Sequence, residues 1–141
     1  SIQDMAPEAA IAALPVRLRG SGTVLLVEDD DAVRRVVRRL LEKLRYNVLE
    51  ASNGEEGLAV VAKFGNSVDI VLTDLMMPHM NGRELANRLA ISNPNLQVLF
   101  TSGYTDDAVI RRGLMESGHE PDVVVVPDAE QLARTLAELQ A

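Results

Sequence analysis

Acidic side chains stand directly after two short apolar runs. Glu28, Asp29, Asp30 and Asp31 follow Val24-Leu25-Leu26-Val27, and Asp74 follows Val68-Asp69-Ile70-Val71-Leu72-Thr73. Carboxylates gathered in one pocket repel one another and raise at least one pKa, unless a cation supplies the missing charge. A hard divalent ion such as Mg²⁺ suits such a set. It takes oxygen ligands from one or two carboxylates, keeps several waters and leaves positions for phosphoryl oxygens. Glu28, Asp29 and Asp74 are therefore the candidate cation ligands, provided that the two runs are neighbouring strands. Asp30 and Asp31 read as helix capping and loop solvation, the usual fate of Asp after a strand.

The elements that must position these acids are written in the apolar pattern. Val24–Val27, Tyr46–Ala51, Val68–Thr73, Leu96–Thr101 and Val123–Val126 are candidate strands. Most are continuously apolar, as expected of strands buried on both faces of a parallel sheet. Between the first two, Val33, Val36, Val37, Leu40, Leu41 and Leu44 recur at the spacing of one helical face. Arg34, Arg35, Arg38, Arg39 and Lys43 fill the other face, which reads as solvated surface, with docking of an acidic partner as the sharper alternative. Asp128 and Gln131 form a capping pair before Leu132, Leu136 and Leu139, starting a last helix. Strand and helix alternate five times, and right-handed crossovers turn such a chain into a doubly wound α/β sandwich. In such sheets ligands bind beyond the carboxyl ends of the strands, where the acids stand.

Composition narrows the function classes. At 141 residues and 47% hydrophobic, the chain has the size and apolar content of one domain. Residues 1–22, rich in Ala and Pro and ending Gly20-Ser21-Gly22, read as a linker, with the domain spanning 23–141. A net charge of -7 argues against nucleic acid or anionic membrane as a partner, and favours a bound cation. With no Cys, disulfides and thiolate metal sites are excluded and the cytoplasm is the default compartment. No apolar run reaches the length that spans a bilayer, and no signal segment opens the sequence.

Val-Glu-Asp-Asp at 27–30, Leu-Thr-Asp-Leu-Met-Met-Pro at 72–78 with Asn81-Gly82, and Phe-Thr-Ser-Gly-Tyr at 100–104 resemble the signatures of response regulator receiver domains, the CheY-like superfamily of two-component signalling. Each motif is weak alone; three in order, in register with the βα pattern, are strong. The resemblance covers about residues 23–140. It implies a flavodoxin-like strand order 2-1-3-4-5, with helices on both faces. It also implies that Asp74 accepts a phosphoryl group from a phosphohistidine on a histidine kinase or histidine phosphotransfer protein. Asp29 and Asp74 would hold Mg²⁺ by side chains, Met76 by its backbone carbonyl and Glu28 through water. Ser102 would be the switch hydroxyl that hydrogen-bonds the phosphoryl oxygen. In-line phosphoryl transfer needs mainly positioning and charge neutralisation, so a carboxylate beside Mg²⁺ attacks without a general base. Such a domain catalyses only its own phosphorylation and dephosphorylation. Pro78 and Gly82 shape the loop after Asp74 and start the next helix.

The chain departs from the family where receivers carry Lys before a Pro after the fifth strand, because Val126 precedes Pro127. A charge-assisted hydrogen bond is worth roughly 1.5–3 kcal/mol, so coupling of the phosphoryl group to Ser102 is expected to weaken. The aromatic switch position is aliphatic, at Val123. The alternative function is thus a degenerate receiver, binding its partner without phosphate. Met76 and Tyr104 are bulky and non-acidic where the family's hydrolytic water passes, so slow autodephosphorylation is expected. Met77, Met80 and Met115 read as packing, and His79 and His119 lack the partners of a metal site. A phosphatase of the haloacid-dehalogenase type fits poorly, since Ala32-Val33 lack the hydroxyl expected after Asp29-Asp30-Asp31. No P-loop is present, and the acidic run lacks the loop glycine of an EF-hand. The Ala/Pro linker and the end at Ala141 suit the C-terminal receiver of a hybrid histidine kinase; a homodimer is left open.

Overall fold

The computed structural model describes residues 20–101, 123–124 and 129–140, and in it the first apolar run has no side left for water. β1 (Thr23–Val27) buries Val24 through Val27, and every residue of β3 (Ile70–Asp74) is buried. Successive side chains of a strand point to opposite faces. Val24 and Leu26 accordingly join one core cluster while Leu25 and Val27 join another. Burial on both faces explains why these runs are continuous instead of alternating.

β2 (Asn47–Ala51), β4 (Gln97–Thr101) and β5 (Val123–Val124) complete a parallel sheet in the order β2-β1-β3-β4-β5. This is the 2-1-3-4-5 order that the resemblance implies. α1 (Asp31–Lys43) and α4 (Ala129–Gln140) cover one face, where Val37, Leu40 and Leu41 meet Leu132, Ala133 and Leu136. α2 (Gly54–Phe64) and α3 (Gly82–Ser92) cover the other through Val61, Leu85 and Leu89. Each fully buried Leu contributes about 1.5–3 kcal/mol by leaving water. Met77 and Met80 pack into the second cluster, as read from the sequence.

Three helices start at capping side chains in the loops that follow β1, β2 and β3. Asp30 accepts from the Ala32 and Val33 amides, Asn53 from Glu56 and Asn81 from Glu84. Each cap is worth about 1 kcal/mol. Asp30 is thus a cap, as expected, and Asp31 occupies the first turn of α1. Tyr46, Val68 and Leu96, placed in strands by the apolar pattern, precede them; Tyr46 is nonetheless buried. Gly20 and Gly22, at the end of the segment read as linker, hydrogen-bond to Leu44 and Asn47. The expected linker over 1–19, Val125 and Val126 of the fifth strand, the Asp128 cap and any helix between β4 and β5 lie outside the described residues. Among those described, no helix is long and apolar enough to cross a membrane.

Candidate functional site

The β1–β3 register sets Val27 beside Thr73, so that the next residues, Glu28 just past β1 and Asp74 at the end of β3, stand side by side at the carboxyl edge of the sheet. Carboxylate oxygens of Glu28, Asp29 and Asp74 all lie within 4.8 Å of one another. Glu28 and Asp74 are buried, 4% and 9% exposed, and Asp29 faces solvent. Adjacent parallel strands with acids at their carboxyl ends thus bring together the trio that the sequence singled out.

The backbone around the trio is pinned. The Glu28 amide donates to the Ala51 carbonyl at 3.1 Å, the Glu28 carbonyl accepts from Arg34 Nη1 at 2.8 Å, and Glu28 Oε2 accepts from the Asp30 amide at 3.0 Å. Asp74 Oδ1 accepts from the Met76 amide at 3.1 Å. Beyond it the loop folds back, with the Leu75 amide donating to Thr101 and the Gly82 amide to Leu75. A side chain at Gly82 would run into the Asp74 carbonyl oxygen, so α3 approaches the strand end this closely only with glycine there.

Burial, with the charges of Asp74 and Asp29, pushes Glu28 up to about 8 against the opposing Asp30 amide. Burial also raises Asp74, with Asp29 adding repulsion and donors from Met76, Glu28 and Leu75 opposing. A site that prefers to hold a proton near neutrality is one whose negative charge is under-compensated. Oxygen-only donors with that deficit fit a hard divalent cation. A stability consequence follows for the metal-free protein. The folded state holds the Glu28 proton more tightly than the unfolded chain, so this group's stabilisation is full below the ordinary glutamate value of 4.5 and is lost as pH rises to about 8. Thermal melts in EDTA should show the melting temperature falling across that window, Glu28→Gln should flatten the fall, and Mg²⁺ should offset it at the alkaline end. A wild-type fall equal to that of Glu28→Gln would contradict this assignment.

The Met76 amide is oriented by the hydrogen bond it donates to Asp74 Oδ1, while the residue is 54% exposed. His79 is exposed and sits in the left-handed region, φ 67°. Thr101 pairs with Asp74 across the sheet, but Ser102, Tyr104, Met115, His119 and Val126 lie outside the described residues. Sequence reading missed Arg34 and Arg38, which the helical pattern assigned to a solvated face. Arg38 Nη1 reaches Glu50 Oε2 at 2.6 Å, and Arg34 bridges Glu28, Asp31 and Glu50. The available signal was Glu50 itself, an acid within the β2 run.

The chain matches the family model described as "Response regulator receiver domain" over residues 24–138. It is 46% identical over 94 residues to the sensor kinase CckA of Brucella abortus, covering 67% of this chain and 10% of that protein. Among solved structures, the receiver domain of the hybrid histidine kinase CckA superposes with a TM-score of 0.66 at 30% identity, covering 85% of this chain and all of that one. A receiver domain protein from Clostridium thermocellum, at 24% identity, shares the fold with a TM-score of 0.72 over 84% of this chain and 93% of its own. The chain spans only a small part of the length of the first curated relatives it matches, from 10% to 29%. A match running from the first strand into the last helix leaves one assignment: this chain belongs to the response regulator receiver domain family of two-component signalling.

Proposed function

We propose that the chain is a phosphoacceptor receiver, taking a phosphoryl group from a phosphohistidine onto Asp74. The observation that carries this reading is the convergence of Glu28, Asp29 and Asp74 within 4.8 Å at the carboxyl ends of β1 and β3. Asp29 and Asp74 would hold Mg²⁺ by their carboxylates, Met76 by its carbonyl and Glu28 through water. When bound, the ion neutralises charge on the transferring phosphoryl oxygens. An Asp74 oxygen attacks phosphorus, the bond from phosphorus to the imidazole nitrogen breaks, and its electron pair returns to the ring. The Met76 amide, held on Oδ1, fixes the carboxylate for that attack. The donor would be a histidine kinase or histidine phosphotransfer protein, and Ser102 the hydroxyl that reports the phosphoryl group. The domain turns over nothing beyond its own phosphoryl group and works in the cytoplasm. Similarity to CckA supports its place in a hybrid kinase relay. Met76, bulky and non-acidic beside the acceptor, supports slow hydrolysis.

One departure favours a second reading, a phosphate-independent interaction module: Val126 where the family has Lys. Incubation with acetyl phosphate and Mg²⁺, read by intact mass, separates the two. A phosphoacceptor gains one phosphoryl group, and EDTA prevents the gain. No gain, from acetyl phosphate or from a phosphorylated histidine phosphotransfer protein, would leave the interaction module as the function.

A further inference from the structure

We propose that Arg34 is a positioning residue for the cation pocket, pinning the peptide plane that joins Glu28 to Asp29 and so setting Mg²⁺ affinity. The inference rests on the cation reading of the acidic trio and goes beyond it, to a residue that touches no ligand.

The Glu28 carbonyl belongs to the peptide unit whose nitrogen is that of Asp29. Arg34 Nη1 holds that oxygen at 2.8 Å. The next peptide is held as well, because the Asp30 amide donates to Glu28 Oε2 at 3.0 Å. Asp29 therefore lies between two fixed peptide planes. Its carboxylate is exposed, and these two peptide planes set where it leaves the loop toward Glu28 and Asp74. Ordering a loop before the ligand arrives removes an entropy cost that binding would otherwise carry.

Arg34 is itself clamped. Its Nη2 contacts Asp31 Oδ1 at 2.6 Å, its Nε lies 3.7 Å from Glu50 Oε1, and its side chain is 17% exposed. Glu50 in turn holds Arg38 at 2.6 Å. The guanidinium fork thus ties α1 and β2 to the loop that carries the first two acids. A point charge such as Lys cannot make those bonds at once.

Two accounts of Arg34 predict opposite signs. If only its positive charge mattered, removing it would strengthen cation binding by relieving repulsion. If it positions the loop, removing it weakens binding, by about tenfold on the scale of outer-sphere partners. Calorimetric titration of the metal-free domain with Mg²⁺ decides between them. Arg34→Ala is expected to raise Kd about tenfold, Arg34→Lys to fall between it and wild type, and Glu50→Gln, which leaves the carbonyl bond, to change little. Circular dichroism melts identify a variant that fails to fold; should Arg34→Ala do so, Arg34→Lys decides. Arg34→Ala binding Mg²⁺ as tightly as wild type, or tighter, overturns the inference alone, as does an unfolded Arg34→Ala with Arg34→Lys at wild-type affinity. A wild type that binds no Mg²⁺ overturns it together with the cation site.

Discussion

Asp74→Asn is expected to abolish phosphoryl incorporation from acetyl phosphate, leaving the intact mass unchanged where wild type gains one phosphoryl group. Asn keeps the size of Asp and still offers an oxygen to the Met76 amide, which holds Asp74 Oδ1 at 3.1 Å. It loses the anionic oxygen that must form the bond to phosphorus. The same substitution should stabilise the metal-free domain at neutral pH, because burial and the nearby Asp29 already disfavour a charge at this position. Lost acceptance with raised melting temperature is a paired signature that general damage cannot produce. A variant that still takes up phosphate to the wild-type extent would move the acceptor elsewhere and remove Asp74 from its proposed role.

The second large effect is expected at Gly82, which contributes no side chain to the site. In Gly82→Ala the new Cβ meets the Asp74 carbonyl oxygen and comes within 3.1 Å of Leu75 Cα, and backbone cannot yield as a flexible side chain does. Overpacking of this kind costs about 2–3 kcal/mol. For a domain of this size that lowers the melting temperature by roughly 6–12 °C. Since α3 is displaced from the acceptor residue's own carbonyl, Mg²⁺ affinity should fall as well. Gly57 in α2 is the internal comparison. A Cβ there meets side-chain methyls alone, Val27 Cγ2 at 3.2 Å and Leu85 Cδ2 at 3.6 Å, and gains helix propensity, so Gly57→Ala should stay within about 1 kcal/mol of wild type. Equal effects at the two glycines, in urea unfolding, would mean that the contact at Asp74 is not what requires glycine at 82.

How much of this was legible depended on whether the signal was local. Glu28, Asp29 and Asp74 stood at the ends of continuously apolar runs, and burial on both faces of β1 and β3 is what makes such runs continuous. The trio therefore followed from strand polarity and one assumption, that β1 and β3 are neighbours, which the sheet order bears out. Asp30 was legible as a cap because capping is decided within three residues. Arg34 was not, because helical periodicity tells which residues share a face but not what lies under the edge of that face. Its partner Glu50 is on another element. Glycine at 82 was legible as a helix start, while the reason, contact with the Asp74 carbonyl, needed three dimensions. Val126 and Ser102 carry a departure and a role that sequence alone states, since both lie outside the described residues.

All strands of the sheet run the same way, which divides the molecule into a chemical rim and a spare one. The acids gather at the carboxyl rim, while the turns around Asn66 and Asn95 sit at the other end and expose both side chains. Because the chain contains no cysteine, a single Asn95→Cys would carry a fluorophore or a surface tether at one known point. Strand polarity thus supplies an attachment place from which the acceptor end can be watched without being touched.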